Sequence, residues 1–392
     1  MRHGLVVLLV AVLLLTFAAA AGAQTEADKL REQVKQLQQA LQDVCARLQK
    51  LEAAEAAPAV VVAAPAAPTA PKWYDKVKVG GYLQGRYEDR RQMLSNFPPG
   101  ALPPSSVEGT DEFLMRRAYL GFVFTPNERT TAAFTLRHLS FASAVDIEAA
   151  YVNYKFARQW EVEFGRVYNR FGWDAWESSS RRLPLERFAG VEGYKAAGIR
   201  GLEFQGPTDH GIYVTHNPKA PCDGWEPAVH VGFINGNFLN AENNNNKTYE
   251  IDLRWARPFG QFGASWVDGR YTEGVGTPSV ATTTDRQMLD LWLHTDPKPW
   301  GFQTELVDGK LFGYDVRGGY GQVARLVGDG TAYLRYETFD PTRDLDGDSL
   351  RAWKLGYAYQ LDSRNELTLE FMDADRAGRE VGEIGFQWQT GY

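Results

Sequence analysis

The chain has 392 residues, 44% hydrophobic and 13% aromatic, and its 42 Lys and Arg against 49 Asp and Glu leave a formal net charge of -7. A mean hydropathy of -0.37 is too polar for a bundle of membrane helices, and the acidic balance argues against nucleic acid as a partner, because phosphate backbones select for clustered excess Lys and Arg. Two cysteines, Cys45 and Cys222, are too few for a disulfide framework, so stability has to come from backbone pairing and packing.

The first residues read as an export signal. The apolar run Leu5 to Ala21 follows Arg2 and His3 and ends in the small-x-small site Ala21-Gly22-Ala23, which predicts a secretory signal over 1–23. An uncleaved anchor is the alternative, although the run is short for a span. No Cys follows it where a lipoprotein would need one, so the mature N-terminus is expected in the periplasm of a bacterial envelope.

From Leu30 the positions Leu30, Val34, Leu37, Leu41, Val44, Leu48 and Leu51 follow spacings of four and three, with Gln, Lys, Glu and Asp between them. Such an a/d seam predicts a short α-helical coiled coil within 24–52, and both seam positions mix Leu with Val, so it specifies self-association without choosing dimer or trimer. A single amphipathic helix lying against the following domain is the other reading. Residues 53–71 are almost entirely Ala, Pro and Val, with Pro58, Pro65, Pro68 and Pro71 spaced through them. They predict a semi-rigid linker.

Residues 72–392 alternate. Tyr249, Ile251, Leu253 and Trp255 are interleaved with Glu250, Asp252 and Arg254, and the rhythm continues to Tyr392. A strand sends successive side chains to opposite faces, so each segment has one apolar and one charged face. Cutting at turn residues predicts strands at 77–90, 113–125, 129–139, 145–156, 159–168, 197–206, 226–235 and 247–256. Eight more follow at 260–270, 286–295, 300–309, 313–325, 330–339, 351–361, 364–374 and 381–391. His210 to Thr215 also alternates, but an even count returns both termini to one side of a bacterial barrel, so it is assigned to a turn or an extension.

Short connections such as Thr125 to Arg129 and Leu361 to Arg364 alternate with long ones such as Arg91 to Glu112 and Arg170 to Ala196. The pattern is that of an all-β, 16-stranded antiparallel transmembrane β-barrel. Its apolar face, with Phe134, Leu136, Leu289, Leu291, Leu293, Trp353, Leu355, Leu369 and Phe371, suits outer-membrane lipid. Ile384, Phe386, Trp388 and Tyr392 continue that face to an aromatic terminus.

No nucleotide-binding loop, zinc-spaced His or Cys cluster or Gly-x-Ser-x-Gly elbow is present, so no cofactor, metal site or enzymatic centre is expected. His210 and His216 read as solvated residues, and Asp344-Leu345-Asp346-Gly347-Asp348 reads as an acidic loop lacking the closing Glu of a calcium site. The segment Arg170 to Ala196 is different. It mixes Trp173 and Trp176 with Asp174, Glu177, Arg181, Arg182, Glu186, Arg187, Glu192 and Lys195. Folded into the lumen, such a loop narrows a barrel to a charged eyelet; folded over the rim or against a neighbouring subunit, it would not. Candidate constriction and lumen residues are Arg166, Arg170, Arg181, Arg182, Arg187 and Lys195, with Arg137, Arg254, Arg335 and Lys354 on the polar phase of their strands. Glu161, Glu163, Glu250, Asp252 and Glu337 share that phase, which allows pairing.

Several stretches resemble the family of phosphate-selective porins O and P. They include Phe113-Leu114-Met115-Arg116-Arg117-Ala118-Tyr119-Leu120-Gly121-Phe122, Ala149-Ala150-Tyr151-Val152-Asn153-Tyr154 and Val162-Glu163-Phe164-Gly165-Arg166. Ser178-Ser179-Ser180-Arg181-Arg182-Leu183-Pro184-Leu185-Glu186-Arg187 and Gly232-Phe233-Ile234-Asn235-Gly236-Asn237 add to it. The resemblance implies a sixteen-stranded homotrimeric porin whose third long loop, here Arg170 to Ala196, forms the eyelet. Its phosphate-preferring members carry an arginine ladder and a lysine cluster; Arg181, Arg182 and Arg187 stand here, but no lysine-rich lumen can be traced. The expected function is passive diffusion of small hydrophilic solutes and ions through a bacterial outer-membrane channel, with anions or phosphate as possible permeants. The alternative is a barrel serving as a structural tether, its coiled coil binding peptidoglycan or a periplasmic partner.

Overall fold

The computed structural model describes Gln39 and residues 72–94, 110–139, 145–193, 201, 207–218, 226–236, 246–273, 282–376 and 379–392. The signal, coiled-coil and linker expectations, with Leu30 to Leu51, lie outside the described residues, as do Lys195, Cys45 and Cys222.

A single 3-10 turn at Trp73–Lys76 leads into sixteen strands among the described residues. They are β1 (Val77–Leu94), β2 (Thr110–Asn127), β3 (Thr130–Leu139), β4 (Asp146–Lys155), β5 (Trp160–Tyr168), β6 (Thr208–His216), β7 (Ala228–Ile234) and β8 (Thr248–Arg257). The second half is β9 (Gly260–Glu273), β10 (Thr282–His294), β11 (Trp300–Leu311), β12 (Tyr314–Val327), β13 (Gly330–Asp340), β14 (Leu350–Gln360), β15 (Asn365–Arg376) and β16 (Arg379–Gly391). Each strand pairs antiparallel with its neighbours in sequence, and β1 closes on β16 from Tyr82 opposite Gly391 to Leu94 opposite Arg379. Closure satisfies both backbone edges of every strand, which is what a sheet in an apolar medium requires. At the seam Tyr392 exchanges backbone hydrogen bonds with Gly81, and its hydroxyl donates to the Tyr119 carbonyl at 2.8 Å.

The predicted count and fold class stand among the described residues, while 197–206, apart from Gly201, lies outside them and the sixth strand is corrected. It lies at Thr208–His216, in register with β5 from Trp160 opposite His216 to Tyr168 opposite Thr208. Tyr213 and Thr215 face inward and are buried while Val214 faces outward, so the alternation set aside in His210 to Thr215 is the strand itself. Its position leaves 169–207 as the third long connection and shortens the next one to 217–227.

Sidedness follows alternation. Leu289, Leu291, Trp353, Leu355 and Phe371 are outward and exposed, while Asp290, Arg335, Glu337 and Lys354 on the opposite phase are buried in the interior.

Candidate functional site

The third connection does not lie over the rim; it folds into the barrel. Two one-turn helices, α1 (Trp173–Trp176) and α2 (Ala189–Glu192), interrupt it, and Phe171, Ala175, Phe188, Ala189 and Val191 are buried in a cluster with Val316, Tyr320 and Phe339 of the wall. Apolar contact brings the loop in; hydrogen bonds then fix it. The Arg170 amide donates to Glu250 on β8 at 3.0 Å, Gly172 to the Ser265 hydroxyl on β9 at 3.0 Å and Asp174 to Glu305 on β11 at 2.8 Å. Further along, the Leu185 amide donates to Glu370 on β15 at 3.2 Å, and the carbonyls of Ser179 and Ser180 accept from Gln84 on β1 and Gln389 on β16 at 3.0 and 2.8 Å. Gly172 permits the entry: its φ is +74, and a Cβ there would lie 2.4 Å from Glu305 Oε1.

The loop's carboxylates meet arginines of the wall. Glu186 receives Arg86 at 2.5 Å, Arg116 at 2.7 and 2.9 Å and Arg117 at 2.8 Å, and Glu192 receives Arg116 and Arg117 at 3.3 and 3.1 Å. Arg116 and Arg117 are adjacent, so an unbroken strand would point one of them outward. The register between β1 and β2 shifts here, with Gln84 opposite Arg117 and Gly85 opposite Met115. Arg116 is the extra residue of a β-bulge, which re-aims its side chain inward. On the other side of the lumen Arg335 Nη2 lies 3.3 Å from Asp174 Oδ1, both side chains fully buried. Asp174 also accepts from the Phe188 amide.

Those guanidiniums hold the Glu186, Glu192 and Asp174 carboxyls below the usual carboxylate range against the opposing effect of burial. Glu177 behaves oppositely. Burial, together with the nearby Asp174 charge, pushes it up to about 7.

The candidate residues divide into two groups. Wall and loop-entry cations are matched: Arg137 with Asp146 at 3.4 Å and Glu148 at 3.9 Å, Arg166 with Asp146 at 3.5 Å, Arg170 with Glu163 at 3.2 Å and Arg254 with Asp252 at 2.5 Å. Arg335 is matched by Asp174 and Lys354 by Glu337 at 3.1 Å. The Arg170 and Arg254 guanidiniums also lie over the Trp176 ring, 4.0 and 4.4 Å from its centroid. Arg181 and Arg182 of the loop instead meet solvent or carbonyls. Arg182 donates to the Pro184 and Leu185 carbonyls at 3.1 Å each, and Arg187 to those of Asp174 and Glu177 at 2.8 and 3.0 Å. Arg181 is exposed and, like Arg182, has no ion pair among the described residues. Burial and repulsion from Arg187 and Arg117 push Arg182 down to about 10, so it is still charged at neutral pH.

Sequence reasoning missed Arg86, Arg116 and Arg117 as lumen residues. The Arg116-Arg117 pair was a usable signal, since two adjacent charges inside an apolar-alternating strand ask for a bulge or an exposed charge.

A closed sixteen-strand barrel with an apolar outer face, a charged interior and a long loop bonded into its lumen is an outer-membrane porin. Residues 103–289 match the family model for phosphate-selective porin O and P, which is the family that the sequence resembles. No curated protein matches the chain. Among solved structures it is similar to an anion-selective porin from Comamonas acidovorans, at 15% identity and TM-score 0.57 over 81% of this chain and 99% of that one. It is also similar to OmpT of Vibrio cholerae in a trimer form (11%, TM-score 0.54, 81% and 100%). A third is the outer membrane channel DcaP of Acinetobacter baumannii (11%, TM-score 0.53, 81% and 97%). At such identities these likenesses show the fold.

Proposed function

We propose that the protein is a passive diffusion channel for small hydrophilic solutes with a modest preference for anions, and that solutes pass between the loop and the barrel wall. The observation that carries the preference is the contrast between Arg181 and Arg182 and the loop's carboxylates. Glu186, Glu192 and Asp174 are neutralised by wall arginines, whereas Arg182 bonds to carbonyl oxygens and Arg181 is exposed. Exposed Arg181 therefore offers positive charge to the passage, with the field of buried Arg182 added to it, and Arg groups lining a pore favour anions. Modesty follows from the wall. Arg137, Arg170, Arg254, Arg335 and Lys354 each have a carboxylate at hand, so little of their field reaches beyond the pair.

The outward apolar band supports contact with outer-membrane lipid, and the heptad seam from Leu30 to Leu51, together with the Vibrio cholerae structure in trimer form, supports a homotrimer. A signal over 1–23 and a periplasmic coiled coil joined by the 53–71 linker complete the reading. Swelling of liposomes carrying the purified protein tests it: entry of small neutral and anionic solutes at rates falling with solute size is expected, and impermeability to all of them would refute it.

A further inference from the structure

A chain of side-chain hydrogen bonds runs along the inner wall from the turn after β10 to the loop, and its polarity is set at one end. Arg335 has only donors. Its Nε donates to Gln322 Oε1 at 2.9 Å, which turns the Gln322 amide nitrogen towards Gln303 Oε1 at 3.0 Å. The Gln303 amide nitrogen then meets His294 Nδ1 at 2.7 Å. An amide NH2 can only donate, so Nδ1 accepts and the ring's single hydrogen sits on Nε2, 3.2 Å from Asp296 Oδ1. An arginine three strands away thus selects the tautomer.

Both ends of this chain touch the loop. Arg335 Nη2 donates to Asp174, and the His294 ring stacks on Trp173 with centroids 4.4 Å apart at 26°. A second proton on His294 would set Nδ1–H against the Gln303 amide hydrogens. Flipping Gln303 moves the conflict to Gln322, and flipping Gln322 moves it to Arg335, which cannot accept. Every rearrangement breaks one link.

We propose that neutral His294 is a positioning residue for the constriction loop, and that its protonation releases the Trp173–Asp174 end of the loop from the wall. The consequence for conductance rests on the channel reading above; the movement of the loop does not. The charged group at the ring is Asp296 on the turn; on the neighbouring elements stand Asp290 further up β10, Glu305 on β11, Asp174 on the loop, Arg335 on β13 and Arg254 on β8, the last 6.0 Å from the Trp292 ring. Asp296 favours the second proton, and the fixed Gln303 donor opposes it.

Hydrogen exchange of peptides spanning 169–188 tests this in the full chain, with Glu177→Gln as background so that the loop's own carboxyl does not titrate. Rates corrected for intrinsic exchange are compared at about pH 8 and about pH 5.5, which bracket the histidine range. Exchange at the acid pH is expected to rise several-fold. His294→Gln, which keeps an acceptor but no titration, is expected to abolish the rise. Gln303→Glu keeps the imidazole but gives Nδ1–H a carboxylate acceptor, and it too is expected to abolish the rise. The same acid response in all three proteins would overturn the proposal. The expected pattern in a protein that forms no channel in planar bilayers would uphold it and refute the porin reading alone.

Discussion

Glu186 takes both nitrogens of Arg116 at 2.7 and 2.9 Å, and it can do so only because the strand carrying Arg116 bulges there and turns that side chain into the lumen beside Arg117. One carboxylate thereby ties the centre of the loop to β1 and β2. Removing it leaves three guanidiniums, those of Arg86, Arg116 and Arg117, with Glu88 and Glu192 to share. Breaking such a buried network from one side costs about 3–5 kcal/mol. Glu186→Ala is therefore expected to lower the thermal unfolding temperature of the detergent-solubilised barrel and to raise anion selectivity, read from circular dichroism melts and bilayer recordings.

Asp174 and Arg335 form the opposite anchor, with both side chains fully buried. Asp174→Ala is expected to destabilise by about 3–5 kcal/mol, since it leaves buried Arg335 with only the more distant Glu337, at 4.0 Å. Because the loop's entry then keeps its backbone bonds to Glu250, Ser265 and Glu305 without the Arg335 pair, single-channel traces are expected to show added open-channel noise, which Glu186→Asp does not produce.

Glu177 supplies a pH dependence of its own. Its carboxyl is pushed up to about 7, so it is ionised above that pH and neutral below it. As pH falls through about 7 the loop loses a negative charge beside Arg182 and Arg187, and anion preference rises. Glu177→Gln is expected to show the acid-side preference at every pH between about 6 and about 8, when reversal potentials are measured across that range.

Gly172 and Gly385 both sit where the loop touches the wall, but they differ in tolerance. A Cβ at Gly385 meets the end of the flexible Leu185 side chain at 2.4 Å, whereas Gly172 combines a Glu305 contact at the same distance with a φ of +74. Gly172→Ala is expected to cost about 1–3 kcal/mol through backbone strain, and Gly385→Ala clearly less, as judged by urea unfolding of the refolded barrels.

The fold was legible because alternation is local: a strand's two faces are written in successive residues, as from Tyr249 to Trp255. The loop's importance was legible too, from its length and its mixture of Trp, Arg and carboxylates. Its pairing was not. Glu186 meets Arg86 and Arg117 from 100 and 69 residues away, and Asp174 meets Arg335 across 161; no local spacing encodes those distances. Counting parity misplaced β6, because the alternation of His210 to Thr215 was weighed against a total already fixed at sixteen. The question raised by the polar phase, whether its arginines are free to meet an anion, divides by position: those of the wall are matched, and Arg181 and Arg182 of the loop bond to carbonyls or solvent.

That division is tested most directly by the reversal potential of the purified protein in a planar bilayer under a KCl gradient, compared with Arg181→Gln, Arg182→Gln and the double variant. The wild-type channel is predicted to pass chloride in modest preference to potassium, and the double variant to lose that preference or become cation-preferring while still conducting. A wild-type channel preferring potassium, or a double variant with unchanged anion preference, would contradict the account.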